Sequence, residues 1–251
     1  MHAIILSAGR GSRLLPLTTD LPKCLLPIGM TTVLGMQLDT LAKAGVKTAT
    51  VVTGFNAHLV EDELNSRPHG PKVKTVFNPF FQVADNLASC WMVRKKMKKD
   101  FLIINGDTLF SPALIDKVLN APAAPITVTI DMKGHYDGDD MKVTLDETRL
   151  LSIGKTLTPQ QTDGESIGML RFMGEGRETF KNELERRMRK EDGTKSWYLS
   201  AIDNLAKSGV QINTTNIQGS SWAELDTPED YEICRGMFGS SEMARKRFAV
   251  L

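Results

Sequence analysis

The amino-acid sequence predicts an α/β fold: a mixed, mainly parallel sheet flanked by helices, with a smaller antiparallel part in its second half. Three observations carry this expectation. Over residues 1–125 short apolar strands alternate with amphipathic helices, the order that a parallel sheet covered on both faces requires. Past residue 126 the apolar positions alternate through several short segments without intervening helices, as antiparallel strands do. A length of 251 residues is enough for one large domain with a sizeable core.

Taken in order, Ala3 to Leu6 is an apolar strand. Thr32 to Ala44 has apolar residues at helical spacing (Val33, Leu34, Leu38, Leu41) and stops at Gly45; the β-branched run Thr48 to Thr53 follows as a strand ending at Gly54. Ala57 to Leu64 reads as a helix, Val73 to Phe77 as a strand and Asn86 to Met97 as a helix. Phe101 to Asn105 is a buried strand that runs into Gly106-Asp107. In the second half, Ile126 to Asp131, Met141 to Leu145, Leu150 to Ile153 and Gly168 to Phe172 are strands of a smaller antiparallel subdomain with no visible linker. Glu175 to Lys190 is a helix with a solvated charged face, Trp197 to Lys207 another helix, and Gln211 to Ile217 a strand. The organisation is therefore one domain in two halves, 1–125 and 126–238. A tail over 239–251, containing Arg245, Lys246 and Arg247, reads as either a docked helix or a frayed end.

Composition narrows the function classes. With 31 Lys and Arg against 30 Asp and Glu, the net charge of +1 gives no field suited to nucleic acid. No apolar run has the length of a membrane span and no signal-peptide pattern opens the chain, so a cytoplasmic location is expected. Cys24, Cys90 and Cys234 are too scattered for a disulfide framework or a paired zinc motif, and Cys24 reads as a loop-packing residue. A homo-oligomer is compatible with the sequence and not specified by it.

The chemistry begins in the first thirty residues. The strand Ala3-Ile4-Ile5-Leu6 opens into Ser7-Ala8-Gly9-Arg10-Gly11-Ser12-Arg13, followed by Leu21-Pro22-Lys23. Bare glycines let backbone N–H groups close around phosphate oxygens, and Arg13 and Lys23 bring the charge that neutralises a polyphosphate. The loop is not a Walker loop, which would end in Gly-Lys-Ser/Thr, nor a dinucleotide fingerprint, which would place a third glycine at Leu14. Helical periodicity begins only near Thr32, so phosphates would meet a long wrapped loop. Asp107, immediately after a buried strand, is placed to reach a magnesium ion bridging triphosphate oxygens. In Trp222-Ala223-Glu224-Leu225-Asp226-Thr227-Pro228-Glu229-Asp230, strand alternation puts Glu224 and Asp226 on one face, and they are further metal-ligand candidates. Thr227, Pro228 and Asp230 also form a helix start, which accounts for those three residues but not for Glu224.

The string Gly9, Gly11, Arg13, Pro16, Leu17, Thr18, Pro22, Lys23 closely resembles the signature of the nucleotidyltransferase superfamily, which includes sugar-1-phosphate nucleotidylyltransferases and bacterial choline-phosphate cytidylyltransferases. The resemblance implies a Rossmann-like, nucleotide-diphospho-sugar transferase-like fold whose second half binds the acceptor. It implies in-line attack of an acceptor oxygen on the α-phosphate with loss of pyrophosphate. Leu6, Ala8, Gly9, Gly11, Ser12 and Arg13 would cradle the nucleotide, with Arg13 on the departing phosphates and Lys23 near the α-phosphate. Asp107 and Asp226 would hold Mg2+, and Lys155 resembles the family's acceptor-phosphate lysine, although a lysine after a strand is as readily solvent-facing. Asp85-Asn86-Leu87-Ala88-Ser89 resembles the Asn-x-x-Ser helix entry of choline-phosphate and inositol-phosphate cytidylyltransferases, which favours CTP; Asn86 and Ser89 would equally serve an ordinary helix start.

The acceptor is read from His135-Tyr136-Asp137-Gly138-Asp139-Asp140-Met141-Lys142. One aromatic, Tyr136, is too few for a cage around a quaternary ammonium, whereas Asp139 and Asp140 can accept N–H bonds from a primary ammonium. The same stretch also fits a solvated hairpin turn. Glu165 and Tyr198 are further acceptor-side candidates. The expectation is a CTP- and magnesium-dependent cytidylyltransferase acting on a small phosphorylated or phosphonate alcohol of phosphocholine, phosphoethanolamine or 2-aminoethylphosphonate type. The alternatives are a sugar-1-phosphate nucleotidylyltransferase using UTP, dTTP or GTP, and a nucleotide-binding regulatory module without turnover.

Overall fold

The apolar run near the N-terminus forms β1 (His2–Ser7), whose side chains alternate between two buried faces: Ala3 and Ile5 on one, Ile4 on the other. The computed structural model describes residues 1–239, and the tail reading for 240–251 falls outside the described residues. The following strands are β2 (Pro27–Ile28), β3 (Thr31–Thr32), β4 (Thr48–Thr53), β5 (Lys72–Phe77), β6 (Phe101–Asn105) and β7 (Thr108–Phe110). The second half adds β8 (Ile126–Asp131), β9 (Lys142–Asp146), β10 (Arg149–Gly154), β11 (Gly164–Phe172), β12 (Asn213–Asn216) and β13 (Trp222–Glu224). The helices are α1 (Val33–Lys43), α2 (Ala57–Ser66), α3 (Asn86–Val93), α4 (Pro112–Leu119), α5 (Gly176–Met188), α6 (Leu199–Lys207) and α7 (Pro228–Phe238).

One nine-stranded sheet runs β5-β4-β1-β6-β11-β8-β12-β10-β9. Its first four strands are parallel, β1 pairing with β4 on one side and β6 on the other. The antiparallel strands expected in the second half continue this same sheet through the antiparallel β6–β11 pairing. The first residues of β11 also pair with β9, Gly164 opposite Val143 and Glu165 opposite Lys142, so the second half of the sheet curls back on itself. That is why β11 begins at Gly164, earlier than the apolar pattern indicated.

Two apolar layers cover the sheet. Leu34, Leu38 and Leu41 of α1, Val60 of α2 and Leu114 and Val118 of α4 pack on one face; Leu87 and Cys90 of α3, Phe180 and Leu184 of α5 and Ile202 of α6 pack on the other. The start of α1 follows from Thr32, whose hydroxyl accepts from the Gly35 N–H at 3.0 Å. Helix α4 escaped the periodicity reading. Its start is chemical: Ser111 accepts from the Leu114 N–H and Pro112 occupies the first turn. Strand β7 escaped as well, being only three residues long.

A third, smaller cluster determines where the functional loops lie. Leu14 of the glycine loop, Leu26 and Ile28 beyond Lys23, Leu109 of β7, Leu225, and Tyr231 and Cys234 of α7 are all buried together. The Tyr231 hydroxyl also donates to the Pro27 carbonyl at 2.9 Å, tying α7 to β2. Far from these loops, Arg171 of β11 is only 2 % exposed and donates to the carbonyls of Val118, Leu119, Ala121 and Pro122 at 2.5–3.0 Å, closing the C-terminal end of α4. Arg171→Met strips those carbonyls of a shared donor and is expected to destabilise the fold by about 2–4 kcal/mol in urea denaturation, with no change in the shape of the cleft described below.

Candidate active site

Beyond the carboxyl ends of β1 and β6, where open α/β sheets bind ligands, lies a cavity of about 380 Å³ lined by Leu6, Gly9, Gly11, Ser12, Arg13, Lys23, Asn86, Asn105, Asp107 and Asp226. A wider cavity of about 980 Å³ opens beside it and shares Arg13, Asn86, Asn105, Asp107 and Asp226. The glycine loop wraps through a short 3-10 turn over Ser12–Leu14, and no helix starts on it. Gly11 has φ +75°, and a Cβ there would lie 2.9 Å from the Lys23 Cβ. The loop can therefore be both left-handed and close enough to let the lysine pass only with glycine at this position.

Lys23 is the centre of the site. Its ammonium lies 2.7 Å from Asp107 and 2.5 Å from Asp226. Burial opposes its charge, but the two carboxylates outweigh burial and raise its pKa. Arg13 reaches the other oxygen of Asp226 at 2.8 Å. Sequence positions 13, 23, 107 and 226 thus converge. The small antiparallel ladder β7–β13 brings the carboxylates together, with Glu224 opposite Thr108 and the Leu225 N–H donating to the Asp107 carbonyl at 3.1 Å. Gln37, buried under the turn, donates to the carbonyls of Asn105 and Thr108 and fixes the backbone on both sides of Asp107. The helix-start reading of 227–230 is met by a reciprocal capping box, while the Asp226 side chain is directed at Lys23 and Arg13.

A hard divalent cation suits these residues. Asp107 Oδ1 is buried without a hydrogen-bond partner, an anionic oxygen left over after Lys23 has taken Oδ2. No cluster of three ligating side chains exists among the described residues, and magnesium needs only one or two carboxylates when phosphate oxygens supply the rest. Glu224 lies in the wall of the wider cavity. Although Glu224 is exposed to the cleft, partial desolvation and then the charges of Asp107 and Asp226 raise its pKa.

On the acceptor side, Asp139 bridges the two halves, 3.4 Å from Arg13 and 3.1 Å from Lys155. Lys133, which the sequence did not single out, is 2.9 Å from both Asp140 and Glu165. Trp197 and Trp222 also line this cavity and went unread, one as the edge of a helix and the other as a strand residue. The Trp222 indole donates to Asp131 at 2.7 Å.

Four expectations need correction. Ala8 is packed in the core and its carbonyl accepts from the Phe55 N–H, so only its neighbours face the cavity. Ser89 is buried and accepts from the Asn78 amide at 3.1 Å, tying the 78–81 loop to α3 instead of meeting a base. Tyr136 turns its hydroxyl to the Lys133 backbone N–H and does not line the cleft. Tyr198 is fully buried; its hydroxyl donates to Asn105 Oδ1 at 3.3 Å and its N–H to Asn86 Oδ1 at 2.9 Å, so it stands behind two cleft-lining asparagines. Asn105 is held from its other flank by Gly168, at φ +70°, where any Cβ would collide with the amide. Cys24 is buried, its thiol pushed up to about 12 by burial, in keeping with a packing role.

A wrapped glycine loop, two cations and two carboxylates thus meet at the carboxyl edge of the sheet, the arrangement expected of a nucleotidyltransferase. The nucleotidyl transferase family model matches residues 2–138, and the chain belongs to that family. It is 27% identical over 239 residues to CMP-5'-(3-aminopropyl)phosphonate synthase of Streptomyces rubellomurinus, covering 92% of this chain and 37% of that one. It is 26% identical over 242 residues to the bifunctional IPC transferase and DIPP synthase of Aquifex aeolicus, covering 92% of this chain and 50% of that one. The chain thus spans half or less of the length of these relatives. The inositol-1-phosphate CTP transferase from T. maritima superposes with a TM-score of 0.79 at 19% identity, over 95% of each chain. The CTP:phosphocholine cytidylyltransferase from Streptococcus pneumoniae superposes with a TM-score of 0.77 at 17% identity, over 94% of this chain and 97% of that one. These likenesses bear out the fold class.

Glu165 gives the site a pH signature. Burial outweighs the attraction of Lys133, Asp140 adds repulsion, and its pKa rises to about 7. A raised carboxyl pKa means that the stabilisation is complete below about 4.5, the unfolded value, and is lost as pH rises through about 7. Stability should therefore fall between pH 5 and 8, and Glu165→Gln should flatten that fall by up to about 3 kcal/mol in chemical denaturation at the two pH values.

Proposed function

We propose that this chain is a cytidylyltransferase that transfers CMP from CTP to a small phosphate or phosphonate acceptor bearing an ammonium group. The observation that carries the reading is the shared wall of the two cavities. Arg13, Asp107 and Asp226 belong to both, so a triphosphate in one and an acceptor in the other would meet at Lys23. An acceptor P–O⁻ oxygen attacks the α-phosphorus, a new P–O–P bond forms, and the bond to the β-phosphate breaks with its electron pair leaving on pyrophosphate. A phosphate acceptor yields a CDP-linked product and a phosphonate acceptor a CMP-phosphonate.

The acceptor supplies its own ionised nucleophile, so this chain contributes position and charge. Arg13 holds the departing phosphates, and Lys23 stays protonated between its carboxylates and offers its charge at the α-phosphate. Asp107 and Asp226, with Glu224 beside them, would hold Mg2+, which supplies Lewis-acid polarisation of the phosphoryl oxygens when bound. Lys155 takes the acceptor's phosphoryl or phosphonyl oxygens. The wider cavity is rich in carboxylates, among them Asp137, Asp139, Asp140 and Glu165, which supports an acceptor whose far end is a cation. Two relatives named for cationic acceptors, an aminopropyl phosphonate and choline phosphate, support the same choice.

Pyrophosphate release measured across CTP, UTP, dTTP and GTP against 2-aminoethylphosphonate, phosphoethanolamine, phosphocholine and sugar 1-phosphates tests the reading. CTP with an amine-bearing acceptor should give the highest kcat/KM. A dominant UTP and sugar-1-phosphate signal would replace the cytidylyl reading with sugar-nucleotide synthesis, and silence across the matrix would leave a nucleotide-binding module. Asp107→Ala should lower magnesium-dependent turnover by about 100-fold or more while unfolding stays cooperative; turnover near wild type would remove Asp107 from the site.

A further inference from the structure

The acceptor lysine does not stand alone. The Lys155 ammonium lies over the face of the Trp197 indole, 4.9 Å from the ring centroid, as well as 3.1 Å from Asp139. Its backbone carbonyl accepts from the buried Lys142 ammonium at 3.1 Å, which fixes the root of the side chain. Trp197 is 41 % exposed, a large aromatic surface left open in the wall of the wider cavity. A solvated ring of this size is poor packing, and a cation held over its face is a good electrostatic use of it.

The strap that carries Trp197 is tied to the nucleotide side. Thr194 and Ser196 accept, through their carbonyls, from the N–H groups of Asp85 and Leu87, and the Tyr198 N–H donates to Asn86 Oδ1. Asp85 and Asn86 line the nucleotide cavity. Trp197 is thereby held between the start of α3 and the lysine that faces the acceptor. We propose that Trp197 is a positioning residue for acceptor binding: its indole face holds the Lys155 ammonium at the junction of the two cavities, in register with the nucleotide side through Asn86. The inference rests on the cytidylyltransferase reading above and assigns Trp197 no contact with the reacting atoms.

The test is steady-state kinetics with CTP and the best amine-bearing acceptor on Trp197→Leu, Trp197→Phe, Lys155→Ala and the Trp197→Leu/Lys155→Ala pair. Trp197→Leu should raise the acceptor KM by about tenfold while the CTP KM stays within about twofold, the range a partly desolvated cation–π contact spans. Trp197→Phe, which keeps a ring face, should recover most of the loss. In the Lys155→Ala background Trp197→Leu should add less than about twofold, because the lysine through which it acts is gone. An unchanged acceptor KM in Trp197→Leu, equal rises in both KM values, or full additivity with Lys155→Ala overturns the proposal while leaving the cytidylyltransferase reading intact. A wild-type protein that releases no pyrophosphate with any pair overturns that reading and this inference with it.

Discussion

The ion triad of Lys23 with Asp107 and Asp226 is the interaction on which the rest of the site depends. It joins three segments that are distant in sequence: the wrapped loop after β1, the turn after β6 and the segment between β13 and α7. The ammonium is largely withdrawn from water, so removing one partner would leave a poorly compensated charge, and the triad therefore fixes geometry more than it adds net stability. Arg13 extends it to a fourth position by taking the second oxygen of Asp226. Every other feature of the cleft either places one of these residues or connects it to the acceptor side.

Placement is done by apolar packing and buried backbone bonds, which carry no charge themselves. Leu14, Leu26, Leu109, Leu225 and Tyr231 form the small third cluster beneath the charged groups, so the loops bearing Arg13 and Lys23 and the segment bearing Asp226 share one apolar anchor. Gln37 does the same for Asp107 from the other direction, through two backbone carbonyls. A charged constellation on loops is only as exact as such support, because misplacement by about 1 Å can cost about 100-fold in rate.

This division explains what was legible in the sequence. Gly11, Arg13, Lys23, Asp107 and Asp226 could be read because their residue types are themselves the signal: positive φ, fixed charge, a carboxylate at a strand end. The parallel half of the sheet was legible for the same local reason, since Phe101–Asn105 and Thr48–Thr53 show their burial in their own composition. Gln37, Trp197 and Lys133 were not legible, because their roles come from partners that only the fold brings near. Ser89 and Tyr198 were misplaced for a related reason. A hydroxyl near a motif reads the same whether it points at a ligand or, as here, at Asn78 or Asn105, and only burial separates the two. The curl of β9 against β11 was likewise invisible, since two adjacent residues, Gly164 and Glu165, make that pairing.

Charge exchange links the two sides of the cleft. At rest each cation is bracketed by carboxylates: Lys155 by Asp139, Arg13 by Asp139 and Asp226, Lys23 by Asp226 and Asp107. A phosphate group that takes Arg13, Lys23 or Lys155 must take it from a carboxylate. The exposed pairs at Asp139 resist this weakly, since ion pairs in water are worth little. The pairs at Lys23 are different, because Asp107 and Asp226 are shielded and would be left facing each other, with Glu224 beside them in the same cavity wall. A polyphosphate could occupy this site at low cost only if positive charge arrived with it. That requirement comes from the resting geometry alone, and it is the physical ground on which the proposed reading couples the nucleotide to a divalent cation at these two carboxylates.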